Sequence, residues 1–178
     1  LGLVGIVSVA AASEGKAVIE FYNDLGYDIE AVGNHDFDFG PVGYHSTPEC
    51  PEDDPLGVIK QRIAEARFPF LAANIYDRTS GKQVDWKNLH SHVILERKGV
   101  RIGVIGLTAS NTQLITHPAN VRELEFKPLL SSVRRVLPAV RAAKATVVIL
   151  VVHAGVEIDE DTGEVGGALI DLARGLEP

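Results

Sequence analysis

GNHDFDFG, at residues 33–40, is the most informative stretch of this chain. It directly follows residues 29–32, whose apolar character predicts a buried strand. An amide (Asn34), an imidazole (His35) and two carboxylates therefore lie together at the C-terminal end of a strand. In α/β sheets this is the edge where ligands and metals bind, and the flanking glycines permit the tight backbone path that groups such side chains. The stretch predicts an α/β fold with a polar site at this sheet edge.

A second polar residue follows the most apolar segment of the chain. Residues 146–152, TVVILVV, predict a buried strand, and His153 comes next. If both strands lie in one sheet and point the same way, Asn34, His35 and His153 project into one crevice. Amide oxygen and imidazole nitrogen are suitable ligands for zinc, manganese or iron, so Asn34 and His153 are candidate metal ligands. A divalent ion there would act as a Lewis acid and lower the pKa of bound water toward about 7, as zinc does.

His35 and Asp38 form a candidate acid pair. Side chains three residues apart meet on one face of a helical turn. A carboxylate beside an imidazole fixes its tautomer and stabilises its protonated form. We therefore expect His35 to donate a proton to a leaving alkoxide, a role worth roughly 10²–10⁴-fold in rate.

Structural interpretations compete with these roles. A lone histidine at a strand end is more often structural than metal-binding, and Asn34 and Asp38 taken singly are ordinary turn residues. Asp36 is expected either to face solvent or to cap the following turn. The histidines expected to have plain surface roles are His45, His90, His92 and His117. The functional interpretation therefore rests on the joint occurrence of the motif residues with a second strand-end histidine.

The composition is that of an ordinary folded protein. The chain has 178 residues, of which 46% are hydrophobic and 23% charged, enough for one domain with a sizeable core. Its net charge of −7 argues against a nucleic-acid backbone as the main partner. A small phosphate ester is compatible with this charge, because a metal can supply local positive charge. A single cysteine, Cys50, leaves no intrachain disulfide to form.

The first residues predict that the chain is part of a longer protein. The chain begins at Leu1 and contains no methionine. Residues 1–12, LGLVGIVSVAAA, are apolar and end in small residues, as the remnant of a secretory signal would. A buried strand or a mis-registered terminal segment is the preferred interpretation. Twelve residues are too few to span a bilayer, and no membrane span is expected.

Strand and helix patterns alternate along the chain, which predicts a layered α/β architecture. The turn Lys98-Gly99 links two apolar runs and predicts a hairpin, so the sheet is expected to be mixed. Pro138 interrupts the longest helical pattern and predicts a kink or two helices. The predicted helices cover residues 13–25, 55–66, 128–143 and 164–174, and the predicted strands cover residues 27–32, 68–73, 92–97, 100–107 and 146–152. The buried face expected for the first helix, which should end at Gly26, consists of Ala17, Val18, Phe21 and Leu25.

Four segments resemble the calcineurin-like metallophosphoesterases, in the branch of the 5′-nucleotidases, 2′,3′-cyclic-nucleotide phosphodiesterases and UDP-sugar hydrolases. They are GNHDFDFG at 33–40, LAAN at 71–74, GVRIGVIGLT at 99–108 and VVILVVHAG at 147–155. The segment EGKAVIEFYNDLGYD also resembles the helix that precedes the GNH(D/E) block of that family. The resemblance extends over about residues 13–155, and GNH(D/E) in this context is its most specific part.

The resemblance implies a four-layer α/β/β/α sandwich with two divalent metals (zinc, manganese or iron) bridged by a hydroxide. It implies that Asn34 and His153 are ligands of the second metal, that His35 is the catalytic acid and that Asp38 is its partner. The implied reaction is in-line attack of metal-activated water on a phosphomonoester or cyclic diester of a nucleotide. Many relatives are exported, so a periplasmic or extracellular location is expected.

Three metal-binding blocks of that family, D-x-H, G-D and G-H-x-H, do not occur in this chain. Residues 1–178 are therefore expected to form one partial domain, incomplete at both ends and without the C-terminal domain that grips the nucleoside. Since tight metal sites usually take three or four protein ligands, the chain alone is expected to hydrolyse little. One alternative is a degenerate, non-catalytic domain that binds a ligand or partner. Another is a related hydrolase of a 2′,3′-cyclic nucleotide, a UDP-sugar or a thiosulfate ester.

Overall fold

Two three-stranded sheets pack face to face between helices. The computed structural model describes residues 7–43 and 45–176. Within these residues the helices are α1 (Val7–Ala12), α2 (Lys16–Leu25), α3 (Gly57–Glu65), α4 (Pro118–Val121), α5 (Leu129–Ala142) and α6 (Ala168–Gly175). The strands are β1 (Glu30–Ala31), β2 (Phe70–Leu71), β3 (Ile75–Asp77), β4 (Leu89–His90), β5 (His92–Arg97), β6 (Val100–Thr108), β7 (Leu124–Phe126), β8 (Val147–His153), β9 (Glu157–Ile158) and β10 (Val165–Gly166). Short 3-10 helices span Asn34–Phe37 and Thr112–Leu114.

The two main sheets differ in strand direction. The first, in the order β1-β2-β4, is parallel. The second, in the order β5-β6-β8, is mixed, because β5 and β6 form an antiparallel hairpin while β8 runs parallel to β6. Lys98 and Gly99 both have positive φ, 50° and 79°, as a two-residue hairpin turn of type I′ requires. The predicted hairpin and mixed topology are confirmed.

The layers run helix, sheet, sheet, helix. Helices α2 and α3 pack on the first sheet through a core that includes Ile19, Ile63 and Phe70. Helices α5 and α6 pack on the second sheet through a core that includes Ile105 and Val136. This confirms the expected four-layer α/β/β/α arrangement.

The sheets come closest where β6 passes β2. Gly106 has no side chain, and an added Cβ would lie 2.2 Å from Cβ of the fully buried Leu71. The amide of Ala73 donates a hydrogen bond to the Gly106 carbonyl at 2.7 Å. Two residues further along β6, the Thr108 hydroxyl donates to the Val32 carbonyl at 2.8 Å. Direct hydrogen bonds therefore join the two sheets near the C-terminal end of β6.

The first predicted helix has a different buried face from the one expected. It is α2, which begins at Lys16 because Glu14 and Gly15 adopt positive φ of 48° and 79° and separate it from α1. Gly26 caps it in the left-handed conformation, as predicted. Its exposed members include Phe21 and Leu25, whereas its buried residues are Val18, Ile19 and Tyr22. The expected face was wrong by about one residue, or roughly 100° of helix rotation.

Several other elements differ in kind or extent from the predictions. The described part of the apolar start, Val7–Ala12, is a helix rather than a strand, while residues 1–6 lie outside the described residues. Helix α5 continues through the exposed Pro138 as one element, so the alternative of two helices is wrong. The last helix begins only at Ala168, because residues 165–166 pair with β9 instead. The predicted strands 27–32 and 68–73 pair with each other over only two residues each.

The strand after residue 146 is present as β8 but is less buried than predicted. Val147, Val148 and Ile149 are 43%, 39% and 44% exposed. The reason is that β8 is an edge strand, with β6 as its only neighbour among the described residues. No helix in the described part of the chain is long and apolar enough to cross a membrane.

Replacing Gly106 with alanine is expected to lower the free energy of unfolding by about 2 kcal/mol or more, because the methyl group would overlap Leu71. Urea-induced unfolding followed by circular dichroism measures the change. Gly166→Ala is the matched control, since a Cβ at that position meets nothing within 4 Å, and it should change stability by less than about 0.5 kcal/mol. Equal unfolding midpoints for the two variants would contradict the close approach of the sheets.

Candidate functional site

The polar site lies where β1 and β8 end, and these strands belong to the two facing sheets rather than to one sheet as the prediction assumed. His153 is the last residue of β8 and is paired in register with Thr108 of β6. Asn34 begins the 3-10 helix that follows β1. Because the Thr108 hydroxyl also holds the Val32 carbonyl, the two strand ends lie side by side. Asn34 Oδ1 and His153 Nε2 are 2.9 Å apart, although the residues are 119 positions apart in sequence.

Gly33 makes this approach possible. A Cβ at Gly33 would lie 2.8 Å from Cε1 and 2.9 Å from Nδ1 of His153, so the imidazole ring occupies the space of the missing side chain. The backbone of Gly33 is extended, with φ of −103°, and does not itself require glycine. The other motif glycine, Gly40, has φ of 63° and does need the freedom that was expected of both.

The Asn34 and His153 side chains are held in orientations that suit a metal. Asn34 is 7% exposed, and its Nδ2 donates to the Ile115 carbonyl at 3.0 Å, which leaves Oδ1 facing His153. Burial lowers the pKa of His153, and the nearby His35 adds to this effect, so the ring is neutral at pH 7. A neutral imidazole and an amide oxygen are donors that divalent transition metals accept.

These two residues fit part of a metal site. No group of three or more His, Cys, Asp or Glu side chains able to hold a metal occurs in residues 7–43 and 45–176. Tight sites usually have three or four protein ligands, so Asn34 and His153 would contribute two of a larger set.

His35 and Asp38 lie on the same short helical turn. His35 Nδ1 and Asp38 Oδ2 are 2.6 Å apart, and the His35 side chain is 52% exposed. The other carboxylate oxygen, Oδ1, accepts a hydrogen bond from the Thr116 hydroxyl at 2.8 Å. With Nδ1 engaged by the carboxylate, Nε2 is the nitrogen left to contact a substrate.

Asp36 has a structural position. It is 1% exposed, and its Oδ2 accepts a hydrogen bond from the Gly33 amide at 2.8 Å, which caps the start of the 3-10 helix that contains Asp36. Asp36 therefore caps its own turn rather than the following one, and the expectation that it faces solvent is wrong. Among the histidines expected at the surface, His92 is partly buried and the other three are exposed.

Glu30 is a charged residue inside the apolar stretch 29–32 and was not among the candidate site residues predicted from the sequence. It is 8% exposed, and its Oε2 has no hydrogen-bond partner among the described residues. Burial, reinforced by the nearby Asp36, raises the pKa of Glu30 to about 8, so the carboxyl group is largely protonated at pH 7. The available signal was a lone charged residue inside a strand that had been predicted to be buried.

A cavity of about 560 Å³ opens beside the Asn34–His153 pair. The loop after β6 forms one wall with Ser110, Asn111 and Ile115, and the segment after β8 forms the other. Its lining mixes amide, hydroxyl and apolar groups, and its size lies in the range of small-molecule sites. The candidate ligands therefore face a space that admits a small polar substrate.

Comparison with known proteins finds similar proteins both by sequence and by structure. No protein-family model matches the chain. UshA from Salmonella pullorum is 32% identical over 155 residues, which cover 86% of this chain and 25% of that protein. A 5′-nucleotidase from Vibrio cholerae is 30% identical over 153 residues, covering 85% of this chain and 24% of that protein. The calcineurin-like phosphoesterase YfkN from Bacillus subtilis superposes with a TM-score of 0.62 at 24% identity, over 88% of this chain and 43% of that one.

The fold is that of the metallophosphoesterases. Over most of its length the chain is a homologue of UshA and of the 5′-nucleotidases, and a calcineurin-like phosphoesterase is among its structural neighbours. It spans about a quarter of the length of the curated relatives it matches.

Replacing Glu30 with glutamine is expected to stabilise the protein increasingly as pH rises from about 5 to about 8. The folded state holds a proton on Glu30 that the unfolded state releases near the ordinary value of 4.5, so wild-type stability falls across this window and levels off above it. The full difference is on the order of 5 kcal/mol. Urea unfolding at pH 5, 7 and 9 measures it.

The exposed Glu96 supplies the matched control for this experiment. Glu96→Gln should leave the pH dependence of unfolding as it is in the wild type. A Glu30→Gln variant whose stability also follows the wild type at every pH would contradict the buried, protonated state of Glu30.

Proposed function

We propose that this chain supplies part of the active site of a metal-dependent nucleotide phosphoesterase of the 5′-nucleotidase type. The observation that carries the proposal is the 2.9 Å contact between Asn34 Oδ1 and His153 Nε2, with the His35–Asp38 pair on the adjoining turn. The relatives named 5′-nucleotidase support nucleotides as the substrate class. Because the chain spans about a quarter of those relatives, the activity is proposed for the whole protein.

Asn34 and His153 would hold one divalent ion through Oδ1 and Nε2, and the remaining ligands, with those of a second ion, would come from the rest of the protein. Zinc, manganese and iron all suit this donor pair. When bound, such ions supply Lewis acidity and make water a nucleophile at neutral pH. The Gly33 backbone would keep the His153 ring in place for this purpose, since the ring fills the space above it.

His35 would act as the general acid. A proton on Nε2 passes to the alkoxide oxygen that leaves the phosphate, while Asp38 keeps the proton on Nδ1. Because the Asp38 carboxylate holds the proton on Nδ1, the proton that His35 gives up always leaves from Nε2, the nitrogen that faces the substrate. The exposure of the His35 side chain allows this contact.

The remainder of the leaving group would extend into the cavity beside Asn34, and a separate nucleotide-specificity domain elsewhere in the protein would bind the nucleoside. We further propose that the protein acts in the periplasm or outside the cell. This location follows from the family expectation, and the relatives named UshA support it.

The test is phosphate release from AMP by the whole protein supplied with Mn²⁺ or Zn²⁺. His35→Ala should lower kcat by roughly 10²–10⁴-fold and leave the bound metal unchanged, because only the proton donor is lost. His153→Ala should reduce both the bound metal and the activity. His90→Ala, at an exposed position on β4, is the control and should behave as the wild type.

Two results would contradict the proposal. Full activity after His35→Ala would exclude the acid role. A wild-type protein that binds AMP but releases no phosphate with either metal would instead support a non-catalytic binding domain.

A further inference from the structure

We infer that Thr116 is a positioning residue for the His35–Asp38 pair, and that the segment from residue 115 to residue 120 is the frame that orients the acid and the candidate metal ligand together. The effect on the reaction rate rests on the proposed function. The geometric part of the inference does not, because it concerns only the orientation of one carboxylate and one imidazole.

The two oxygens of Asp38 are held from two directions. Oδ2 lies 2.6 Å from His35 Nδ1, and Oδ1 accepts the Thr116 hydroxyl at 2.8 Å. The terminal torsion of an aspartate is broad and two-fold when nothing restrains it. The Thr116 hydroxyl removes this freedom and selects the rotation at which Oδ2 faces the imidazole.

The same segment also orients the rest of the motif. The Ile115 carbonyl accepts Asn34 Nδ2 at 3.0 Å, and Asn120 Nδ2 donates to the Phe37 carbonyl at 2.8 Å. Asn120 is 1% exposed, so this second attachment is a buried one. Three residues of the GNHDFD segment, Asn34, Phe37 and Asp38, are thus held by one stretch of chain that begins just after the loop following β6.

That loop is itself anchored at the end of β6. The hydroxyl of the fully buried Thr112 donates to the Ala109 carbonyl at 2.7 Å, one residue after the strand. The frame is therefore tied to the strand that already joins the two sheets, and Thr116 is its contact with the acid pair.

Thr116 differs from Ile115 and Asn120 because its hydroxyl bonds to a side chain of the acid pair, whereas the contacts of the other two residues with the turn involve a backbone carbonyl. Its removal leaves the attachments through Ile115 and Asn120 intact. A Thr116→Val variant keeps the shape of the side chain and loses only the hydroxyl, so the fold should persist while Asp38 gains freedom.

The kinetic test uses the whole protein with its metal and AMP as substrate. Thr116→Val should lower kcat about 10-fold with little change in KM, and Thr116→Ser should restore kcat. The reason is that losing a partner that orients a residue of the active site typically lowers activity roughly 10–100-fold. Thr116→Val should add no further loss in an Asp38→Ala background, since the two residues act through one contact. Thr79→Val, at an exposed turn, is the control.

A second measurement does not depend on catalysis. With ¹⁵N-labelled histidine and His35→Ala to assign the signal, the Nδ1 and Nε2 shifts of His35 report which nitrogen carries the proton at one fixed pH. Thr116→Val should reduce the Nδ1-protonated fraction and Thr116→Ser should restore it, with unchanged thermal unfolding.

Unchanged His35 shifts in Thr116→Val would overturn the inference whatever the activity, and so would a kinetic loss that multiplies with that of Asp38→Ala. If the wild-type protein releases no phosphate, the proposed function fails, while the shifts of His35 still decide the role of Thr116.

Discussion

The arrangement of the site depends on one buried hydrogen bond between the two sheets, from the Thr108 hydroxyl to the Val32 carbonyl. Thr108 is fully buried, and Asn74 satisfies its backbone by accepting its amide and donating to its carbonyl. Since a buried polar group without a partner costs about 1–3 kcal/mol, this set of bonds strongly favours one alignment of the sheets. In that alignment the ends of β1 and β8 meet, and Asn34 reaches His153.

The close packing that creates the site also limits what its surroundings can contain. Gly106 lets the sheets touch at Leu71, and Gly33 leaves the volume that the His153 ring fills. The same compact layer encloses Glu30, whose carboxyl group must stay protonated to be tolerated next to Asp36. The site is thus built from backbone approaches that only glycine allows, beside a buried acid whose ionisation opposes folding at alkaline pH.

Local patterns in the sequence predicted the layered α/β fold, the mixed sheet and the central contacts of the site, whereas the four-layer arrangement was implied only by the family resemblance. A three-residue spacing brings His35 to Asp38, and polar residues after two strands bring Asn34 to His153. The contacts that could not be predicted join residues far apart in the sequence. The Thr116 hydroxyl and the Ile115 carbonyl meet the motif from 78 and 81 residues away, and a carbonyl has no sequence signal at all. The exposure of β8 depends on which strands lie beside it, a property of the sheet rather than of the strand.

The most direct test of the account is anomalous X-ray diffraction from crystals of the whole protein grown with Mn²⁺. The account predicts a manganese peak that both Asn34 Oδ1 and His153 Nε2 ligate, with the His35 ring on the adjoining turn. A fully occupied manganese centre elsewhere in the protein, with Asn34 and His153 still bonded to each other, would contradict it.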